Sequence, residues 1–150
     1  MGTTSQRTAP EDAFTTEERA AMKERAAEVR RQRTGADPAT EVLARIAELP
    51  DEERALAERV HAVVTEAAPD LVARLWYGMP AYARPGRRGA IVCFLQPASK
   101  FGTRYATLGF NDVVRLDDGA MWPTAYALTE VSGEVEDRLR ALVARAVTEG

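Results

Sequence analysis

The chain holds one histidine, His61, and one cysteine, Cys93, among 150 residues. That inventory excludes a two-histidine metal site, a cysteine-rich zinc cluster and an intrachain disulfide, and any Cys-His or Ser-His-Asp arrangement would have to recruit His61. His61 falls beside Val60 and Val64 in a helical pattern, where a surface or packing role is expected. No G-x-S-x-G, Walker A, G-x-G-x-x-G or H-E-x-x-H pattern occurs. The residues give no positive support for catalysis.

Three other groupings can bind. Asp117 and Asp118 precede Gly119; paired carboxylates can hold a divalent cation, although a full oxygen cage needs more ligands and Asp-Asp-Gly is also an ordinary turn. Lys100 and Arg104, next to Phe101 and Tyr105, form a small cationic patch suited to a carboxylate or phosphate. Lys23 and Lys100 are the only lysines among 20 basic residues, which singles them out where arginine is the default. Every Trp and Tyr lies between Trp76 and Tyr126. Phe94 and Phe110 read as core. Trp76, Tyr77, Met79, Tyr82, Tyr105 and Trp122 read as the walls of a groove, because Tyr and Trp carry polar edges and ligand sites are apolar walls with a few polar groups. Gly78 supplies either a left-handed residue that lets a partner approach the backbone or a β-bulge at an edge, and Pro80 predicts that its strand is an edge strand or begins there.

The elements that must position these residues follow from local signals. Residues 1–13 are polar and aperiodic and predict a disordered tail. Thr15 with Glu18 fits a capping box, and a charged helix extends from Phe14 to about Arg33 with a thin apolar stripe of Met22, Ala26 and Val29, an appendage or docking arm over residues 14–36. Asp37 caps a second helix begun by Pro38 and carrying Val42, Leu43, Ile46 and Leu49; Pro50 ends it. A third helix spans about Asp51 to Ala67, and a last one follows Ser132 with Val135, Leu139, Leu142, Val143 and Ala146 inward. Between them, strands are expected over Ala81–Arg84, Ala90–Leu95, Thr103–Phe110 and Thr124–Leu128. Ile91, Cys93 and Leu95 should share one face and Val92 and Phe94 the other. Residues 37–150 thus read as one α+β domain, an antiparallel sheet of about four to five strands packed against helices.

Composition bounds the setting. A chain with 45% hydrophobic and 29% charged residues can fold without staples. A formal net charge of −3, with neither half strongly basic, gives nucleic-acid binding no electrostatic support. The lone cysteine, the absence of a secretory leader pattern and the absence of an apolar run of about 20 residues predict a cytoplasmic protein.

The ordered set WYGMPAY, AIVCF, KFGTRYATLGF and LDDGAMWPTAYAL, followed by an amphipathic helix, resembles the YdhG-like domain family of bacterial proteins over about residues 55 to 147. The resemblance implies an α+β domain similar to the frataxin fold, in a family that includes proteins assigned as intracellular iron chaperones. Frataxin-like iron binding goes with surface carboxylates, and the matching candidates are Asp51, Glu52, Glu53 and Glu58 on the third helix, with Asp117 and Asp118. Arg54 and Arg59 interrupt those helical acids, and the first helix lies outside the common domain.

The leading reading is a non-catalytic binding domain with an aromatic groove for a small anionic ligand, anchored by Lys100 and Arg104. Its alternatives are iron handling through Asp117, Asp118 and the third-helix acids, and a homodimeric module in which a second subunit covers the two-sided Ala90 strand and the first helix.

Overall fold

The computed structural model describes residues 14–34, 37–86 and 88–149. The expected tail over residues 1–13 and the break at Gly35 and Ala36 lie outside them. Thr15 opens helix α1, Thr16–Thr34. Its hydroxyl accepts the Glu18 N–H at 3.0 Å while the Glu18 carboxylate accepts the Thr15 N–H at 2.9 Å, the reciprocal capping box expected from the sequence. Asp37 caps α2, Pro38–Ala47, by accepting the Ala39 N–H at 3.3 Å and the Thr40 hydroxyl at 2.6 Å. Helix α3, Asp51–Ala67, follows Pro50 and sets Asp51, Glu52 and Glu53 in its first turn, where the helix dipole favours negative charge.

Five strands follow: β1 Val72–Trp76, β2 Met79–Ala83, β3 Ile91–Gln96, β4 Ala106–Phe110 and β5 Ala125–Leu128, with one short helix, α4 Ala98–Phe101, between β3 and β4. The last helix, α5, spans Gly133–Glu149 and begins with the Val135 N–H bonded to the Ser132 hydroxyl at 3.4 Å. All strand pairs are antiparallel and the sheet order is β1-β2-β3-β4-β5. The architecture is α+β, a sheet against helices.

The stretch LWYGMPAY is a β-hairpin, and its first half, β1, is the strand not placed from sequence. Trp76 pairs with Met79 across a two-residue turn, and both turn residues have positive φ, 53° at Tyr77 and 77° at Gly78. That is the backbone a tight hairpin with the native strand twist requires. Gly78 is therefore a turn residue, not a bulge. Its strand β2 begins at Met79 but is interior, with β1 on one side and β3 on the other, which corrects the edge-strand expectation. Pro80 is tolerated toward β1 because it faces Leu75, one pair beyond the hydrogen-bonded pair that closes the turn.

The bulge lies elsewhere. Tyr82 pairs with Cys93 and Ala83 with Ile91, so Val92 is the extra residue of β3. The strict alternation expected for this strand breaks there. Val92 joins Cys93 and Leu95 in the main core, while Ile91 turns to the opposite face with Ala81 and Ala83.

The main core lies between one sheet face and helices α2, α3 and α5. Val42 and Ile46, then Val60, Val63 and Val64, then Leu139, Val143 and Ala146 pack against Tyr82, Leu95 and Leu108. Each such Val, Ile or Leu burial contributes about 1.5–3 kcal/mol. The second face carries Trp76, Met79 and Phe94, and α1 lies on this side. Phe94 faces Gly109 across β3 and β4, where a Cβ would meet its ring at 2.4 Å; glycine makes room for the aromatic.

Candidate functional site

Helix α1 buries a single apolar residue, Ala21, and the one buried charged side chain among the described residues, Glu28, which is 2% exposed. The stripe expected from sequence is not buried: Met22 is 47% exposed, Ala26 is exposed and Val29 is half-buried. Hydrophobic periodicity misses this helix because its inward face is polar. The helix is docked, not a free appendage. The Glu28 carboxylate accepts the Tyr77 N–H at 2.9 Å and the Gly78 N–H at 2.6 Å. Covered by the helix, those two turn donors would otherwise lack water, so the acid and the hairpin satisfy each other.

Glu24, one turn earlier, completes the junction. It accepts from Lys100 Nζ at 2.5 Å and from Arg45 Nη1, tying α1 to α4 and α2. Burial alone would push the Glu24 carboxyl up, but the hydrogen bonds and charges of Lys100 and Arg45 outweigh it and hold the group below its ordinary value. Gly78 sits directly beneath: a Cβ there would lie 2.5 Å from Glu24 Oε2 and 2.6 Å from Lys100 Nζ.

Beside this junction runs an open groove of about 350 Å³ between α1 and the outer sheet face. Trp76, Tyr77, Met79, Phe94 and Phe101 line the sheet side, and Phe14, Ala21 and Met22 line the helix side, with Glu18 and Gln96 as its polar groups. The Trp76 ring meets Phe94 at 5.2 Å and Tyr77 edge-on at 5.3 Å. Three of the expected wall residues, Trp76, Tyr77 and Met79, therefore converge.

The others do not join them. Tyr82 projects from the opposite face into the main core, hydrogen-bonded to His61 Nδ1 at 2.9 Å, because residues 79 and 82 of a strand alternate to opposite sides. Arg104 and Tyr105 line a smaller cleft of about 160 Å³ with Glu53, Leu56 and Leu95 on the helix side of the sheet, and the Arg104 guanidinium lies 5.3 Å over the Tyr105 ring. Trp122 belongs to a third cavity of about 390 Å³ with Phe110, Arg115 and Asp117. Lys100 stands at the α1 junction, its charge matched by Glu24, so the two cations do not act on one anion; Lys23 is exposed.

Asp117 and Asp118 are exposed, and the Asp117 carbonyl accepts from Arg145 at 2.6 Å. Among the described residues no three His, Cys, Asp or Glu side chains are grouped to hold a metal ion. The α3 acids have protein partners instead: Asp51 pairs with Arg54 at 3.1 Å, and Glu53 accepts both the N–H and the hydroxyl of Ser99, pinning α4. Glu52 lines the smaller cleft and Glu58 is exposed.

Sequence reasoning missed Glu24, Glu28, Phe14 and Phe101 as site residues. The one available signal was Lys100, a lysine retained in an arginine-rich chain, whose compact ammonium fits between Glu24 and the Gly78 backbone. No described helix is long and apolar enough to cross a membrane. Neither protein-family models, nor curated proteins, nor solved structures give a match to this chain.

Proposed function

We propose that the protein is a cytoplasmic, non-catalytic binding module whose site is the groove between α1 and the outer sheet face, and that its ligand is a small, flat, largely uncharged molecule. The observation that carries this reading is the lining. Five aromatic rings and two methionines surround about 350 Å³ of open space, a volume at the lower end of small-molecule sites. Lys100 is neutralised by Glu24, so the groove selects by shape and apolar contact more than by charge. The segment Tyr77-Gly78-Met79-Pro80-Ala81, one part of the ordered set on which the proposed YdhG-like kinship rests, contributes Tyr77 and Met79 to the groove's lining, which supports placing the site there. The buried free thiol of Cys93 fits a reducing compartment.

The test uses the full chain with Trp122→Phe, which leaves Trp76 as its sole tryptophan. Titration with 4-bromobenzyl alcohol, a neutral aromatic quencher, should quench Trp76 fluorescence saturably, and Met22→Glu should abolish saturation by placing a charge in the wall. Linear, collisional quenching that is identical in both chains would remove the reading.

A further inference from the structure

The groups outside α1 that meet its Glu24 and Glu28 carboxylates are donors or cations, while Arg25 lies over the Tyr77 ring at 5.9 Å. The two-residue turn directs the successive N–H groups of Tyr77 and Gly78 to one carboxylate, the concave backbone arrangement that binds anions. Lys100 from α4 and Arg45 from α2 converge on a second carboxylate. The two carboxylates meet over one residue: Glu28 Oε2 lies 2.6 Å from the Gly78 nitrogen, and Glu24 Oε2 lies 2.5 Å from where a Gly78 Cβ would stand. Donors remain in excess even so. Arg25 Nη1, in an ion pair with Glu28 at 3.5 Å, and Arg74 Nε are buried without a hydrogen-bond acceptor.

Against this polar attachment α1 sets little apolar burial, Ala21 alone among its fully buried residues. Among the described residues, none of α1 belongs to the main core. The polar attachment of the helix thus runs through the two carboxylates of Glu24 and Glu28.

We propose that the hairpin tip, with the Tyr77 and Gly78 N–H groups, Lys100 and Arg45, is a binding site for a small dicarboxylate, and that α1 occupies it as a tethered surrogate through Glu24 and Glu28. A dicarboxylate that takes the site displaces α1. Because Phe14, Ala21 and Met22 form one wall of the neighbouring groove, its arrival also opens that groove. The site is separate from the groove and does not depend on the groove's ligand.

The experiment uses the full chain carrying Glu24→Gln and Glu28→Gln, with glutarate as the probe and propionate at matched ionic strength as the control. Glutarate at roughly ten times its Kd should raise the Tm of this variant by about 3 °C. It should shift the unaltered chain, where α1 competes for the site, by less than about 1 °C, and should do nothing once Lys100→Met is added. Equal shifts in variant and unaltered chain, an equal effect of propionate, or no shift at all would overturn the proposal. So would a variant that fails to fold, since that would make α1 part of the core. Hydrogen exchange gives the second readout: Lys100→Met alone should speed α1 amide exchange at least tenfold with α3 unchanged, and unaltered α1 protection would count against the latch. Quenching of Trp76 by 4-bromobenzyl alcohol is read separately, so either site can fail while the other stands.

Discussion

The Glu28 carboxylate closes on the Gly78 N–H at 2.6 Å across fifty residues of sequence. A buried acid with no partner and a buried turn with unpaired N–H groups are each unfavourable; brought together, each removes the other's penalty. This pair places α1, and α1 in turn makes one wall of the groove.

Gly78→Ala should therefore cost more than backbone strain. At a φ of 77° an alanine loses about 1–2 kcal/mol to its left-handed conformation, and its Cβ must also displace the Glu24–Lys100 pair. Gly102, at a φ of 67° with open space around its Cβ, supplies the control. Urea unfolding should show Gly78→Ala to be the more damaging by about 1 kcal/mol or more. Equal losses would mean that the junction above Gly78 contributes nothing.

Two groups should give the chain an acid-side loss of stability in two stages. Burial lowers the pKa of His61 from its ordinary 6.5, so between the folded and unfolded values the unfolded chain binds more protons. Its contribution is complete above pH 6.5 and is lost as pH falls toward the folded value. Glu24 is held below its ordinary 4.5, so its contribution is complete above pH 4.5 and disappears as pH falls through the depressed value. Urea midpoints measured from pH 8 to pH 3 should decline first below about 6.5 and again below about 4.5. His61→Gln should remove the first stage and Glu24→Gln the second; a His61→Gln chain that still declines between pH 6.5 and 5 would reject the assignment.

Cys93 should be inert in the folded chain. It is fully buried, and burial pushes its thiol up to about 12, so the reactive thiolate is scarce at neutral pH. A colorimetric disulfide reagent at pH 8 should label it at the rate of unfolding and immediately in denaturant. Rapid stoichiometric labelling of the native chain would show that β3 opens locally.

Much of the fold was legible because its signals are short-range. The Thr15–Glu18 box, the Asp37-Pro38 start and the Pro50 stop are each decided within a few residues, and the structure bears them out. The strand β1 was harder to read: Arg74 interrupts its apolar residues, and its hairpin turn uses Tyr at a positive φ where Asn or Asp is the usual signal. The bulge at Val92 was invisible for a related reason, since a single inserted residue changes no local propensity yet reassigns Ile91 to the other face.

The sequence by itself determined the four long helices, the strand-rich centre and the α+β class, because capping, periodicity and chain stiffness act on neighbours, whereas the short helix Ala98–Phe101 was not read from it. Only the tertiary structure decided the site. It sent Tyr82 to the core, Tyr105 and Trp122 to separate cavities, and Trp76, Tyr77 and Met79 to one groove. It also made the polar face of α1 the buried one, because the partners that satisfy Glu24 and Glu28 come from α2, α4 and the β1–β2 turn, and no pattern within a single helix encodes donors supplied by distant segments.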